Sequence, residues 1–331
     1  MNKDLKIDFV VPWVDGNDPV WIKEFNKYCP DNKKIIDASE KRYRDFGLLK
    51  YWFRGVEKFA PWVNKIHFVT CGQKPSWLNL SSSKLHWVKH EDYIPSEYLP
   101  VFSANPIEIM IHKIPDLEEH FVYFNDDFYL TDFIEPRFFF VNGKPCDAAI
   151  EGTIFGEMGH ILLNNATLIN KTFSKHLIIK KNWNKWFNFR YGKNILRTAL
   201  LFPQHHFSGF GNFHFAMPYT KTLFEQVWKE YPEKLTQTMK NRFRSEQDVN
   251  QYIFQDYRFC KGDFIPRNPC WKKRFFALSN DNLFNVVSCI ESQKQKELVI
   301  NDTDNIDFEL AKNKLQRAFE HILPEKSSFE V

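Results

Sequence analysis

The stretch His120–Leu130, HFVYFNDDFYL, decides how this chain folds. Phe121, Val122, Tyr123 and Phe124 form a short apolar run of β-branched and aromatic residues, the composition of a buried strand. Asn125, Asp126 and Asp127 follow it without a break. Ligands of open α/β sheets bind just past the carboxyl ends of strands, so this acidic tail falls where a site is expected. Two adjacent carboxylates repel each other unless a cation or strong hydrogen bonds offset the repulsion. A hard divalent cation, Mg²⁺ or Mn²⁺, meets that need through one or two carboxylates plus substrate phosphates. The same three residues also suit a plain turn, since Asn and Asp are common turn formers.

Working outward, Ile7–Val11 reads as a first buried strand. It runs into Pro12-Trp13-Val14-Asp15-Gly16-Asn17-Asp18-Pro19, turn chemistry with acids and amides at a strand end. Apolar residues at 48, 49, 52, 53, 56 and 59 mark a helix within Arg44–Phe59, stopped by Pro61. Lys65–Thr70 is a second strand before Cys71-Gly72-Gln73, and Leu85–Val88 a third before His90-Glu91-Asp92. Asn105-Pro106 predicts a helix start, with Asn105 as the cap and Pro106 at the first position. Glu108 and His112, four apart, would share the polar face of that helix, which Pro115 ends. Strands alternating with helices predict an α/β fold with a mostly parallel, Rossmann-like sheet of the GT-A kind and helices on both faces. One rim of it would gather Asp15, Gln73, His90, Asp126 and Asp127. A nucleotide-sugar-binding sheet with a strand-end metal site needs that arrangement.

The middle of the chain has a different chemistry. From Met158 to Phe224 there is no Asp or Glu, while nine Lys and Arg residues interleave with Trp183, Trp186, Phe187, Phe189 and Tyr191. This basic, aromatic-rich helical insertion suits an anionic, ring-bearing acceptor or a membrane surface, with Lys180, Lys181 and Lys185 among its contacts. A solvated cationic face is the plainer reading. Nucleic acid is not expected, because no nucleic-acid module is visible. Further on, the second half of Met239–Tyr257 and all of Phe308–Leu323 read as helices. Val299-Ile300 leads into Asn301-Asp302-Thr303-Asp304, a second acidic turn. The division expected is a nucleotide-sugar-binding core at 1–150, an acceptor-side segment at 151–235 and a part completing the core at 236–331.

The net charge of +4 excludes global polyanion binding. Six scattered cysteines without a Cys-x-x-Cys pair exclude a zinc ribbon and suggest reduced thiols. The N-terminal apolar run is too short for a leader, and no stretch approaches the ~18 apolar residues of a membrane span. A cytoplasmic protein is expected, with any membrane contact peripheral.

Four blocks, in order, resemble those of the stealth proteins, the bacterial capsular polysaccharide phosphotransferases related to the α/β subunit of the lysosomal-enzyme GlcNAc-1-phosphotransferase. They are IDFVVPWVDGNDP (7–19); the long block from RYRDFGLLKYWF at Arg42 through FSANPIEIMIHK to Asp127; HFAMPYTKTLFEQV with RFRSEQDV; and INDTDNIDFELAKNKLQRAFEHILPEKSSFE. The resemblance implies transfer of a hexose-1-phosphate from a UDP-sugar to a hydroxyl of a capsular polysaccharide or lipid-linked glycan, with release of UMP. It implies catalytic roles for Glu108, Asp127, His214 and Arg244. His205 and His206 compete with His214, and Arg242 with Arg244, because Ala216 stands where the family has its His and the local spacing differs by a residue. Asp126, Asp127 and Asp302 are the expected ligands of Mg²⁺ or Mn²⁺. Trp13, Asp15, Gly16, Asn17, Asp18, Arg44, Asp45, Gln73 and Asn125 are expected to hold the nucleotide sugar. The competing functions are a metal-dependent glycosyltransferase that releases UDP and a non-catalytic glycan-binding protein of capsule assembly.

Overall fold

The computed structural model describes residues 5–29, 45–156, 158–303 and 305–331. The first half alternates strands and helices: β1 (Ile7–Pro12), α1 (Pro19–Tyr28), α2 (Leu49–Phe59), β2 (Ile66–Thr70), β3 (Leu85–Lys89), α3 (Ala104–Ile109) and β4 (His120–Tyr123). Three short strands follow, β5 (Phe128–Leu130), β6 (Phe140–Val141) and β7 (Lys144–Asp147). Then come four helices, α4 (Gly159–Thr172), α5 (Lys175–Lys181), α6 (Trp183–Trp186) and α7 (Ile195–Leu201). The remainder is β8 (Met217–Thr220), α8 (Lys221–Glu230), α9 (Pro232–Met239), α10 (Tyr252–Lys261), β9 (Ile265–Pro266), β10 (Lys273–Ala277), α11 (Leu283–Glu291), β11 (Glu297–Asn301) and α12 (Phe308–Ile322).

The main sheet has the order β3-β2-β1-β4-β8. β1 runs parallel to β2 and β4, β2 runs parallel to β3, and β8 closes the edge antiparallel to β4. After β3 the chain returns to the other side of β1, so strand order reverses between β1 and β4. Crevices at such a reversal are where open α/β sheets bind ligands. The sheet is buried on both sides because its strands alternate. Phe9, Val11, Val122 and Phe124 pack with α2, α11 and α12. Val10, Phe121 and Tyr123 pack the other way, with α4, α8 and α10. A second sheet, β10-β11-β5, brings the strand after Asp127 beside β11, and a third joins β6, β7 and β9.

Several local expectations need correction. The helix sought in Arg44–Phe59 starts at Leu49, and Arg44 lies outside the described residues. Asn105 is not a cap. Ser103 Oγ accepts from the Asn105 N–H at 3.4 Å, and Pro106 sits in the first turn, where a missing N–H leaves nothing unpaired. That helix stops at Ile109, before Pro115, and His112 lies in the 3-10 turn that follows. Glu108 and His112 therefore share no exposed face. Both are buried, and the His112 ring lies against Phe224 and Trp228.

The C-terminal tail is clamped to α2 by Arg54. Its Nε and Nη2 donate to the two Glu330 carboxylate oxygens at 2.8 and 2.9 Å, and its Nη1 donates to the Leu323 carbonyl at 2.8 Å. Both side chains are nearly inaccessible, at 6% and 5%. Arg54→Ala leaves a buried carboxylate without its cation, so it should lower stability by about 3–5 kcal/mol. Urea unfolding measures this directly. A loss below about 1 kcal/mol would show that the pair is solvated and weak.

Candidate active site

The acidic turn sits where the strand order reverses. Phe124 N–H still donates to Val10 O at 2.9 Å, so β4 keeps its register one residue past its end. Phe128 N–H then donates to Asn125 O at 3.2 Å, closing a turn with Asp126 and Asp127 at its tip. Asp126 is reachable by solvent and Asp127 is partly covered. Desolvation by the surrounding protein nonetheless raises both carboxyls. Asp126 is pushed up to about 6 by desolvation, with the Asp45 charge adding to it. Asp127 is pushed up to about 7 by desolvation and then by Asp126.

Asp127 is also where the distant parts of the chain converge. Asn301 Nδ2 reaches its Oδ2 at 3.3 Å, and Ile300 N–H donates to its carbonyl at 3.1 Å. His214 Nε2 stands 4.0 Å from the same carboxylate. Burial lowers the His214 imidazole to about 4, so it is neutral at pH 7. Its Nδ1 lies 3.4 Å from the Tyr252 hydroxyl, and its ring meets Phe128 edge-on at 4.8 Å. His205 and His206 lie exposed in the loop after α7, where the His205 ring faces His176. Of the three histidines, His214 is the one placed at Asp127.

Glu108 ends its short helix 5% exposed, and the Tyr123 hydroxyl donates to it at 2.7 Å. Burial raises its carboxyl to about 7, against the pull of the Tyr123 bond and the Arg244 cation. Burial likewise raises the Asp248 carboxyl, against hydrogen bonds from Ser245, Asn241 and Asn105 and the Arg244 charge. Arg242 is committed elsewhere, donating to Leu99 O at 3.1 Å and lying over the Tyr28 ring. Arg244 is thus the arginine beside Glu108. The Tyr252 hydroxyl feels both Glu108 and Asp127, so it stands between the two halves of the site.

The turn after β1 is tied to the turn after β2. Asp15 N–H donates to Gln73 Oε1 at 3.0 Å, and Gln73 Nε2 donates to Asp15 O at 2.9 Å and to Asp18 Oδ2 at 2.8 Å. Asp18 also caps α1, accepting from Val20 N–H at 2.9 Å, and these bonds hold its carboxyl below the usual range. Gly16 and Asn17 sit in the turn itself, Asn17 N–H donating to Asp15 Oδ1 at 2.9 Å. Trp13 N–H bonds Val69 O at 2.9 Å, and its ring tilts onto Phe68. Asp302 follows β11 directly, on the same side of the fold as Asp127.

The donor set fits a divalent cation in one specific sense. Among the described residues, no three His, Cys, Asp or Glu side chains form a metal-binding group. Asp126 and Asp127 instead offer two crowded carboxylates, which suit a cation that completes its shell with water and substrate phosphate. Three contributors escaped the sequence reading. Glu297, fully buried at the start of β11, accepts from Ala216 N–H at 2.6 Å and pairs with Lys273 at 2.9 Å. It thereby holds the loop two residues past His214. Tyr252 is the third. The one available signal was an acid opening the apolar run Leu298-Val299-Ile300.

Three stretches match one family by description: Stealth protein CR1, conserved region 1, over residues 5–31; CR2, conserved region 2, over 42–147; and CR3, conserved region 3, over 214–252. The capsular polysaccharide phosphotransferase WcwK of Streptococcus pneumoniae is 41% identical over 330 residues, covering 98% of both chains. The receptor polysaccharide phosphotransferase WefC of Streptococcus gordonii is 42% identical and covers 98% of this chain and 99% of its own. The exopolysaccharide phosphotransferase cps2G of Lactiplantibacillus plantarum is 36% identical over 98% of this chain and 96% of its own. The chain belongs to the stealth protein family, and it is an enzyme of the phosphotransferase class.

The buried Glu108 gives a pH test. Its carboxyl sits at about 7 in the fold, above its ordinary 4.5, so ionising it costs stability. The cost is absent below the unfolded value, grows as pH rises, and is complete above about 7, on the order of 3 kcal/mol. Glu108→Gln keeps an acceptor for Tyr123 and removes that cost. Its melting temperature should match wild type near pH 4 and exceed it at pH 8, while turnover falls at least about 100-fold. A melting difference that ignores pH would show that the carboxyl is not desolvated.

Proposed function

We propose that this enzyme transfers a hexose-1-phosphate from a UDP-sugar to a hydroxyl of a capsular or lipid-linked glycan, forming a phosphodiester and releasing UMP. The observation that carries the reading is a neutral His214 held 4.0 Å from a strand-end carboxylate pair that asks for a cation. The family's phosphotransferase relatives support the phosphoryl chemistry.

Phosphoryl transfer needs neutralised phosphate oxygens, in-line alignment and a base for the attacking hydroxyl. Asp126 and Asp127, with Asp302 as a further ligand, would hold Mg²⁺ or Mn²⁺, which would supply charge neutralisation at the phosphates. His214 Nε2 takes the proton of the acceptor hydroxyl, which requires that Nδ1 carry hydrogen and donate it to the Tyr252 oxygen. The freed alkoxide forms an O–P bond at the sugar-bearing phosphorus, and the O–P bond to UMP breaks, leaving the electron pair on the nucleotide. Arg244 offers a planar fork to the phosphate oxygens, and Glu108 with Tyr123 sets its position. The tied turns around Asp15, Asp18 and Gln73, with Trp13, Gly16, Asn17, Asp45 and Asn125, form the walls for the nucleotide sugar. Arg44 stays in that set by resemblance alone.

The alternative enzyme is a metal-dependent glycosyltransferase, whose acceptor attacks the anomeric carbon and releases UDP. Incubation with a panel of nucleotide sugars, Mg²⁺ and acceptor, followed by chromatography of the released nucleotide, separates the two. UMP with a phosphodiester ³¹P signal in the glycan is expected. UDP alone, with a phosphate-free linkage, would assign the glycosyltransferase, and no nucleotide at all would assign a binding protein. Asp127→Asn should abolish turnover, by at least about 10³-fold, without lowering the melting temperature, because it relieves repulsion in the metal-free protein. Excess EDTA should silence the wild type. Full activity in either case would end the metal role.

A further inference from the structure

The segment between β7 and β8 leaves apolar surface uncovered in an unusual pattern. In α7, Leu196 and Leu200 are four apart and share a face, yet they are 64% and 79% exposed. Thr198 of the same helix is fully buried, its hydroxyl accepting from Glu151 N–H at 3.1 Å. A helix packed on a core and washed by water has the opposite polarity.

Neighbouring elements extend this face. The start of α5 grips the end of α7, with Lys175 Nζ donating to Leu201 O at 2.6 Å and a His176 Nε2 bond to Phe202 O at 3.0 Å. Leu177, next along α5, is 68% exposed. Trp183 is half exposed, stacks on Phe187 at 4.1 Å and meets Phe202 edge-on at 5.9 Å. Around the ridge, Lys180, Lys181, Arg190, Lys193 and Arg197 are exposed. Two other cations expected there are internal: Lys175 pairs with buried Glu151 at 2.7 Å, and Lys185 donates to Gly262 O. No Asp or Glu lies between residues 158 and 224.

Exposed leucines and a tryptophan bordered by cations, without acids, are the composition of a surface that lies in a lipid headgroup layer. A water-soluble phosphoglycan would use the cations and the indole but leave Leu177, Leu196 and Leu200 idle. A second copy of this face would bring like charges together. We propose that the α5–α7 face docks on an anionic lipid bilayer, with the leucine ridge entering the headgroup boundary and the cations meeting lipid phosphates. Docking is peripheral, since no helix among the described residues is long and apolar enough to cross a membrane. The proposal concerns binding, so it stands or falls independently of the transfer chemistry.

Flotation of the full chain with vesicles tests it. Binding is expected to vesicles of phosphatidylcholine containing a third phosphatidylglycerol, to be far weaker with phosphatidylcholine alone, and to fall as salt rises. Leu196→Ser with Leu200→Ser should weaken binding at least tenfold with an unchanged melting temperature. Lys180→Ser with Lys181→Ser should weaken it at least threefold. Turnover on a water-soluble acceptor should stay within twofold for both. Absence of binding to the anionic vesicles, or undiminished binding by the leucine variant, overturns the proposal. A raised KM for the soluble acceptor with unchanged flotation makes the face an acceptor groove instead. Loss of a dimer in sedimentation velocity on Leu196→Ser with Leu200→Ser makes it a self-association face.

Discussion

Two carboxylates placed side by side at the end of a fully buried strand set the terms for everything near them. β4 lies between β1 and β8, and Phe121 to Phe124 are at most 1% exposed. The acids that follow inherit this poorly solvated setting, and both rise toward neutral pH. The compensation is thin: a 3.3 Å contact from Asn301 to Asp127 and a backbone hydrogen bond at each carboxyl. Places where local stability is given up without repayment from the fold are the places where ligand chemistry is expected. A divalent cation would offset it, because the charge that destabilises the pair is the charge that would bind the ion.

The rest of the site is organised by β11. Glu297 and Asn301 sit on one face of this strand, four residues and ~13 Å apart. Asn301 and Ile300 hold Asp127, while Glu297 holds the backbone just past His214. His214 and Asp127 are therefore referenced to one element, although they lie far apart in the chain. Glu297 itself pairs with Lys273, whose ammonium lies among the rings of Phe138, Phe139 and Phe215 at 5.2–5.8 Å. Cation–ring attraction and the ion pair together offset the burial of both charges.

Strand ends were legible in the sequence because β1, β2 and β4 are short apolar runs that stop abruptly at polar turns. Their parallel pairing followed from the helices between them. Glu108, Asp127 and His214 were singled out through motif order, which carries information that no local pattern holds. What stayed hidden depends on contacts between distant residues. Ser103 displaced Asn105 as the cap because a hydroxyl one residue before the helix reaches its N–H groups. The partnership of Glu297 with Ala216 N–H has no periodicity to betray it. The α7 helix was not read from the sequence at all, because the segment's charge and aromatic content drew the reading, and the spacing of Leu196 and Leu200 shows that a face exists and not what covers it.

The electrostatics also bear on how a transferase avoids spending its donor on water. In the free protein His214 is a weak base, with its imidazole near 4, and Asp127 beside it holds a proton near neutral pH. Neither can pull a proton from a hydroxyl efficiently in that state, since general-base catalysis works best with a group near the operating pH. With Asp127 4.0 Å from His214 Nε2, the base strength of His214 depends on what else enters the site: the negative charge of a donor phosphate would favour the imidazolium, while a cation on Asp127 would work against it. Water reaching an empty site meets a histidine that has little affinity for its proton.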